Sequence, residues 1–188
     1  MKRAVTIRKY YLLILALSIT ILNSSCEKKA DKIANSDILN LPSLTVKDFR
    51  TVFADSGKIQ MIMSAPLMES YENKEEPYSE FRMGMDIIYY EGKKDSVGRV
   101  TSKYARYTNK KKLWELRDSV VVTNFDSRYK IETEELFWDQ QKDIFFNDRF
   151  LKFTSDDQIV YGNGFESDSR LNKRKIRNVS GPIYLRDE

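Results

Sequence analysis

Short apolar stretches alternate with polar clusters from Leu44 to the end of the chain, and their period is that of β-strands. Val, Ile, Phe, Tyr and Thr recur within the stretches, and Asp, Asn, Lys and Gly separate them. No apolar stripe with a spacing of three to four residues continues for more than two helical turns. The pattern predicts an all-β domain over 44–188, with strands within 43–55, 58–71, 79–92, 97–109, 112–124, 129–139, 143–155 and 158–168.

These strands also repeat along the chain. Residues 107–124 align with residues 138–155, which sets Val120 on Leu151 and Val122 on Phe153. A unit of two strands cannot bury its apolar face alone, so successive units must stack on one another. Alternation of side chains across each strand then predicts one shared interior. Its predicted members are Ile87, Tyr89, Val120, Val122, Leu136, Trp138, Leu151, Phe153 and Phe165.

The first 25 residues follow a different pattern. Basic residues precede the uncharged run Tyr10–Leu22, which is shorter than the roughly 20 residues of a spanning helix and is typical of a secretion signal. Cys26, the single cysteine, follows and resembles the lipidated cysteine of a lipoprotein, although Leu22 lies four residues before it instead of three. The alternative is an uncleaved anchor with an incidental thiol. Both predict an exported domain on a tether over 27–43.

Charge and composition exclude several functions. The chain has 32 basic and 28 acidic residues, and four of the basic ones precede the apolar run, so 32 − 4 = 28 basic residues balance the 28 acidic ones after it. A neutral exported domain lacks the excess positive charge of nucleic-acid binders. Histidine is absent, which removes the commonest general base and metal ligand. We therefore expect no enzyme activity, no metal and no cofactor.

Three segments resemble the LptC family, the periplasmic component of the lipopolysaccharide export bridge: YARYTNKKKLWELRDSVVVTN, TEELFWD and TSDDQIVYGNGFESD. The resemblance covers roughly Ser43–Gly181 and implies a single, open-ended, antiparallel β-jellyroll of the OstA-like type. It implies that the interior is an apolar groove for lipopolysaccharide. LptC proteins have a transmembrane helix, whereas this chain has a short apolar run and Cys26, so a lipid anchor is expected to hold the domain to the inner membrane in the periplasm.

The resemblance also implies two partners, one at each edge of the sheet. The N-terminal edge would meet the periplasmic jellyrolls of an inner-membrane ABC transporter, and the C-terminal edge would meet an LptA-like bridge protein. Joined edges would give one continuous apolar track by β-augmentation. The edge residues expected to contact partners are Leu44, Val46, Phe49, Ile176, Val179 and Ile183.

The residues alone leave the nature of the interior open. Inward side chains can fill a core as readily as they can line a groove. A filled core would make the chain a structural or surface lipoprotein that acts as a protein-interaction module. The sequence therefore predicts which residues face inward and leaves two functions for that interior.

Other motifs favour structural roles. Gly162 and Gly164 predict a bulge or a tight bend, because no helix with a P-loop Lys-Ser/Thr follows them. The basic run 170–178 predicts a solvated loop or a charged guard on an edge strand. Neighbouring Glu134 and Glu135 would point to opposite faces of a strand, which disfavours a glycosidase carboxylate pair.

Overall fold

The computed structural model describes residues 40–91, 95–169, 171 and 173–180, all of which lie in the unit Ser36–Glu188. Cys26, the segment 1–25, most of the tether over 27–43 and Ile183 lie outside the described residues. The described residues form eleven strands in one antiparallel sheet, which confirms the predicted all-β class. The strands are β1 (Leu44–Asp55), β2 (Lys58–Tyr71), β3 (Tyr78–Phe81), β4 (Met85–Tyr90), β5 (Ser96–Ser102), β6 (Tyr104–Thr108), β7 (Leu113–Asn124), β8 (Tyr129–Asp139), β9 (Ile144–Ser155), β10 (Ile159–Asp168) and β11 (Arg174–Ile176).

The strands lie in the sheet in the order of the chain, except that β3 and β4 share one position in the sheet and β5 and β6 share the next. β7 pairs with β6 through residues 113–117 and with β5 through residues 121–124. β2 likewise pairs with β3 through residues 69–71 and with β4 through residues 61–64. Thus β3 with β4, and β5 with β6, each act as one bent strand. The result is a meander whose two edges are β1 and β11.

A row of irregularities, here called the crease, crosses the long strands near their middles. Pro66, which has no N–H to donate, lies opposite Asp48, and neither joins the β1–β2 pairing. The register also shifts between Arg117 and Val120, where the two intervening residues have positive φ. Short polar side chains tolerate that conformation better than apolar ones do. The other members of the crease are Gly84, Lys103, Glu134, Asp148, Arg149 and Gly164.

The sheet folds on itself along the crease into two layers. Layer A comprises residues 44–47, 67–71, 78–81, 104–108, 113–117, 136–139, 144–147, 165–168 and 174–176. Layer B comprises residues 49–55, 58–65, 85–90, 96–102, 120–124, 129–133, 150–155 and 159–163. The ring of Tyr89 in layer B meets that of Phe145 in layer A edge to face at 6.3 Å. This is the open-ended jellyroll that the family resemblance implies.

Buried and more exposed side chains alternate on both sides of the crease, but the buried positions change from odd to even residue numbers across it in β8. In β8 the buried positions are Tyr129, Ile131 and Thr133 before the crease, but Leu136 and Trp138 after it. An extra residue at a bulge reverses which side chains face inward, so a strand that bends through the crease keeps its apolar side in the interior. Both layers therefore contribute to one continuous hydrophobic core.

Candidate functional site

All nine residues predicted to face inward lie in the interior between the two layers or at its margin. Seven of them are almost completely buried: Ile87, Val120, Val122, Leu136, Leu151, Phe153 and Phe165. Trp138 is 7% exposed, and Tyr89 is partly buried against the core. The middle of the interior is therefore closed around side chains, and the space that opens to solvent lies beside Tyr89 and Trp138.

That space is a cleft of about 340 Å³ in the seam, the line opposite the crease where the strand ends of the two layers meet. Its size lies within the range of small-molecule pockets, roughly 300–1,000 Å³. One wall of the cleft consists of layer B residues from β1, β2, β4 and β5. The opposite wall consists of Trp138 in layer A and of residues in the turns next to that layer. Its principal lining residues are Phe53, Met61, Tyr89, Val97, Trp138 and Asp143.

Two side chains that line this mainly apolar cleft carry hydrogen-bond donors that are buried behind its surface. Among the described residues, neither the Tyr89 hydroxyl nor Trp138 Nε1 has a hydrogen-bond partner, and both atoms are buried. Burial raises the pKa of the Tyr89 phenol, and the nearby Asp143 carboxylate raises it further. The phenol therefore keeps its proton. A ligand with oxygen acceptors would satisfy both donors only after these side chains turn toward the cleft.

The seam is closed on the side toward β11. Leu171, which the sequence places inside the basic run 170–178, is 1% exposed and belongs to the hydrophobic core. Ile176 of the same run is partly buried against that core. Part of the run is therefore an edge strand, β11, whose flanking residues include a buried leucine. Local composition hides Leu171, because its neighbours are polar or basic and no alternation marks it.

The two edges differ in how they present apolar residues. On β1, Leu44 is 52% exposed and Val46 is half-buried, whereas Phe49 turns inward and packs on Phe81 with ring centroids 5.3 Å apart. Near the other edge Val179 is 46% exposed. Within the described residues, no strand pairs with the outer side of either β1 or β11.

The two glycines of β10 leave room for the last residue of β11, Ile176, and for Arg177, which follows it. A Cβ on Gly162 would lie 2.5 Å from Ile176 Cγ2, and one on Gly164 would lie 2.7 Å from Arg177 Nε. Gly164 also has a φ of 95° and lies where the β9–β10 register shifts. Arg177 Nη2 in turn donates to Asn147 O at 3.1 Å and to Asp148 at 2.6 Å. This contact fastens the end of the described chain to the crease.

A buried polar pair replaces sheet hydrogen bonds that the crease removes between β8 and β9. Asn147 Nδ2 donates to Thr133 Oγ1 at 2.9 Å and to Glu135 O at 3.0 Å. Thr133 Oγ1 donates to Phe150 O at 2.8 Å. Residues 134–136 and 147–150 lie outside the regular pairing, so these side chains satisfy carbonyls that the ladder leaves free. The sequence analysis did not identify this pair, since a buried Asn resembles a turn residue in sequence.

Glu134 and Glu135 do not share a site in the part of the chain that the structure describes. Glu135 pairs with Arg149 at 3.1 Å, while Glu134 is exposed. No group of His, Cys, Asp and Glu side chains in the described ranges has the arrangement of a metal site. None of the helical segments within those same ranges combines the length and apolar character that crossing a membrane requires.

Comparison with known proteins identifies a protein family that the chain matches over most of its length. A family model described as "Lipopolysaccharide-assembly, LptC-related" matches residues 10–181, a span that contains every strand from β1 to β11. No curated protein matches the chain.

Proposed function

The chain belongs to the LptC-related family of lipopolysaccharide-assembly proteins, and we propose that its jellyroll passes lipopolysaccharide through the folded interior from the β1 edge to the β11 edge. The general role in lipopolysaccharide transport follows from family membership. The path through this chain is our proposal, and the cleft in the seam is the observation that carries it.

The cleft suits the acyl part of a lipid for two reasons. Its walls are largely aromatic and aliphatic side chains, and burying each methylene group in such surroundings contributes about 0.8 kcal/mol. Entry of a lipid that turns the Tyr89 and Trp138 side chains toward the cleft would let their buried donors meet the ester and amide carbonyls that join acyl chains to a sugar headgroup. The buried side chains Ile87, Val122 and Leu136 continue from this cleft, so a lipid that separates the layers would meet an uninterrupted apolar surface.

The open edges support a place between two partners. Unpaired strand edges are hazardous unless they are protected or are used for pairing. We propose that β1 pairs with a periplasmic jellyroll of the inner-membrane ABC transporter and that β11 pairs with an LptA-like bridge protein. Exposed Leu44 and Val179 would then be covered. Each junction would join the interiors of two jellyrolls into one track.

The proposed location is the periplasm, with the domain held at the inner membrane by its N-terminal segment. The short apolar run Tyr10–Leu22 followed by Cys26 supports a lipid anchor, and an uncleaved N-terminal anchor gives the same location. The proposed role involves no chemistry by this domain. Energy for lipid movement would come from ATP hydrolysis in the transporter.

Neighbouring aromatic residues of β8 provide a direct test. Trp138 lines the cleft, whereas Phe137 faces away from it and stacks on Phe146 with ring centroids 5.3 Å apart. A photo-crosslinking residue is placed at one or the other position in the full chain, in membranes with the transporter and lipopolysaccharide. We expect ATP-dependent lipopolysaccharide adducts at position 138 and few at position 137. Equal yields at both positions, or none at either in folded protein, would overturn the proposal.

The closed middle of the interior favours a second candidate function. Because Val120, Val122 and Leu151 are fully buried, the domain also fits a lipoprotein that binds other proteins through its edges. In the same experiment this alternative predicts protein adducts near β1 or β11 and no lipid adduct at position 138.

A further inference from the structure

Leu171 holds an unusual position between β10 and β11. Its backbone N–H donates to Asp168 O at 3.0 Å, and its φ is 61°. Positive φ is uncommon for a leucine and stores backbone strain unless the surroundings compensate for it. Here the side chain is 1% exposed within the hydrophobic core. A strained backbone thus holds an apolar side chain inside the fold.

The contacts of Leu171 join the two layers across the seam. Leu171 follows the end of β10, which belongs to layer A. Its carbonyl accepts a 2.5 Å hydrogen bond from the Tyr129 hydroxyl in layer B. Its Cδ1 lies 3.9 Å from the position of a Cβ on Gly98. Gly98 pairs with Asn124, and Asn124 pairs with Tyr129, so these three residues form one row across β5, β7 and β8. Leu171 therefore covers the ends of three strands of the opposite layer.

Arg174 extends this closure toward β9. Its guanidinium lies 4.4 Å from the centre of the Tyr129 ring and 5.1 Å from that of Phe153. Both rings are nearly completely buried. The seam is thus covered from β5 to β9 by residues next to or within β11.

The open cleft ends where Leu171 begins. Val97 lines the cleft and directly precedes Gly98 in the chain. Ser169 also lines the cleft and lies two residues before Leu171. The cleft lies over β1 to β5, while Leu171 lies over β5 to β8. A ligand that enters at the cleft and moves toward β11 meets Leu171 at that boundary.

We propose that Leu171 is a plug that separates the open cleft, on the entry side of the interior, from the closed exit side. Passage of lipid toward β11 then requires the Tyr129–Leu171 hydrogen bond to break and the Leu171 side chain to leave the seam. This inference rests on the proposed lipid-transfer function, and it assigns a gating role to a site within that path. The strained backbone favours release, because burial of the side chain and the hydrogen bonds to Asp168 and Tyr129 offset that strain only while the plug is in place.

The test compares lipid on the two sides of the plug. A photo-crosslinking residue replaces Met61, which lines the cleft, or Val160, a buried residue of β10 beyond the plug. Each is placed in the full chain, in membranes with the transporter, lipopolysaccharide and ATP. The measurement is the ratio of lipopolysaccharide adducts at position 160 to those at position 61.

Two variants open the plug by different means. Tyr129→Phe removes the hydroxyl that binds Leu171 O, and Leu171→Gly removes the side chain and relieves the backbone. We expect Tyr129→Phe to raise the exit-to-entry ratio roughly fivefold, the factor that corresponds to one lost hydrogen bond. The matched control is Tyr104→Phe, which removes a 2.7 Å hydrogen bond to Glu80 away from the seam and leaves the ratio unchanged.

The outcomes separate this inference from the proposed function. Adducts at both positions with a ratio that neither variant changes would overturn the plug and leave lipid transfer intact. Absence of adducts at both positions would overturn lipid transfer, and the plug with it. If Leu171→Gly fails to fold, Tyr129→Phe decides the question, because it retains the aromatic ring.

Discussion

Replacing Gly164 by alanine tests whether the crease depends on a direct contact between β10 and the segment that follows β11. Gly164 has a φ of 95°, and the new Cβ would lie 2.7 Å from Arg177 Nε and 3.1 Å from its Cζ. Two effects follow. The backbone is strained, and the guanidinium must leave its place over the strand.

The magnitude follows from these two effects. An L-residue in the left-handed region costs about 1–2 kcal/mol. Displacing Arg177 removes its hydrogen bond to Asn147 O, worth about 1 kcal/mol. It also removes the ion pair between Arg177 and Asp148. Because the Arg177 side chain is 45% exposed and the Asp148 side chain is 81% exposed, this pair contributes only about 0–1 kcal/mol to the free energy of unfolding. We expect Gly164→Ala to lower the free energy of unfolding by about 2–4 kcal/mol.

Urea unfolding of the purified chain, followed by tryptophan fluorescence, measures this loss. Gly57→Ala is the matched control, because Gly57 has a φ of 76° but no atom lies within 4 Å of its added Cβ. That variant should show the backbone effect alone, about 1–2 kcal/mol. In an Arg177→Ala background, the loss of unfolding free energy caused by Gly164→Ala should fall to the value expected for Gly57→Ala. An equal loss at Gly164 with and without Arg177 would refute the contact argument.

Three further predictions concern other parts of the chain. Asn147→Ala removes two buried hydrogen bonds and should lower the free energy of unfolding by about 1–3 kcal/mol, whereas exposed Asn163→Ala should change it by less than about 0.5 kcal/mol, both measured by urea unfolding. Burial raises the pKa of Tyr129 from 10.0 to about 12, so the unfolded chain releases this proton first and stability falls as the pH rises from 10.0 to about 12. Tyr129→Phe should reduce that alkaline loss in unfolding curves, and an unchanged pH profile would contradict the assignment. Cys26→Ala should abolish labelling of the chain by radioactive palmitate in cells, and labelling that persists would exclude this thiol as the anchor.

The eight predicted strand segments correspond to β1 through β10 within two residues at their ends, because each strand carries its own local signal. Buried side chains alternate with more exposed ones along most of β7 to β10, and leucine, β-branched or aromatic residues fill most of the buried positions. The same alternation correctly predicted that Val122, Leu136 and Phe165 face inward. The bulge expected around Gly162 and Gly164 depends on glycine, which adopts positive φ without the steric cost that other residues incur.

The crease was not predicted, for a physical reason. Two of the predicted segments are each divided, one at Gly84 and the other at Lys103, and the sheet bends where one or two residues leave the register. One residue of difference between neighbouring strands reverses the inward side, but a single strand shows no sign of its partner's register. The hydrogen bonds of Asn147 to Thr133 and Glu135 likewise arise only when two strands meet out of register.

The linear order of residues thus determined strands, their apolar sides and the class of the fold, because these depend on neighbours two positions apart. Tertiary structure alone decided where the interior is open and where it is closed. The cleft joins Phe53 to Trp138, and the plug joins Leu171 to Tyr129. Such contacts form only after the sheet folds along its crease and brings distant strand ends together, and nothing in the local pattern around Leu171 marks it as buried.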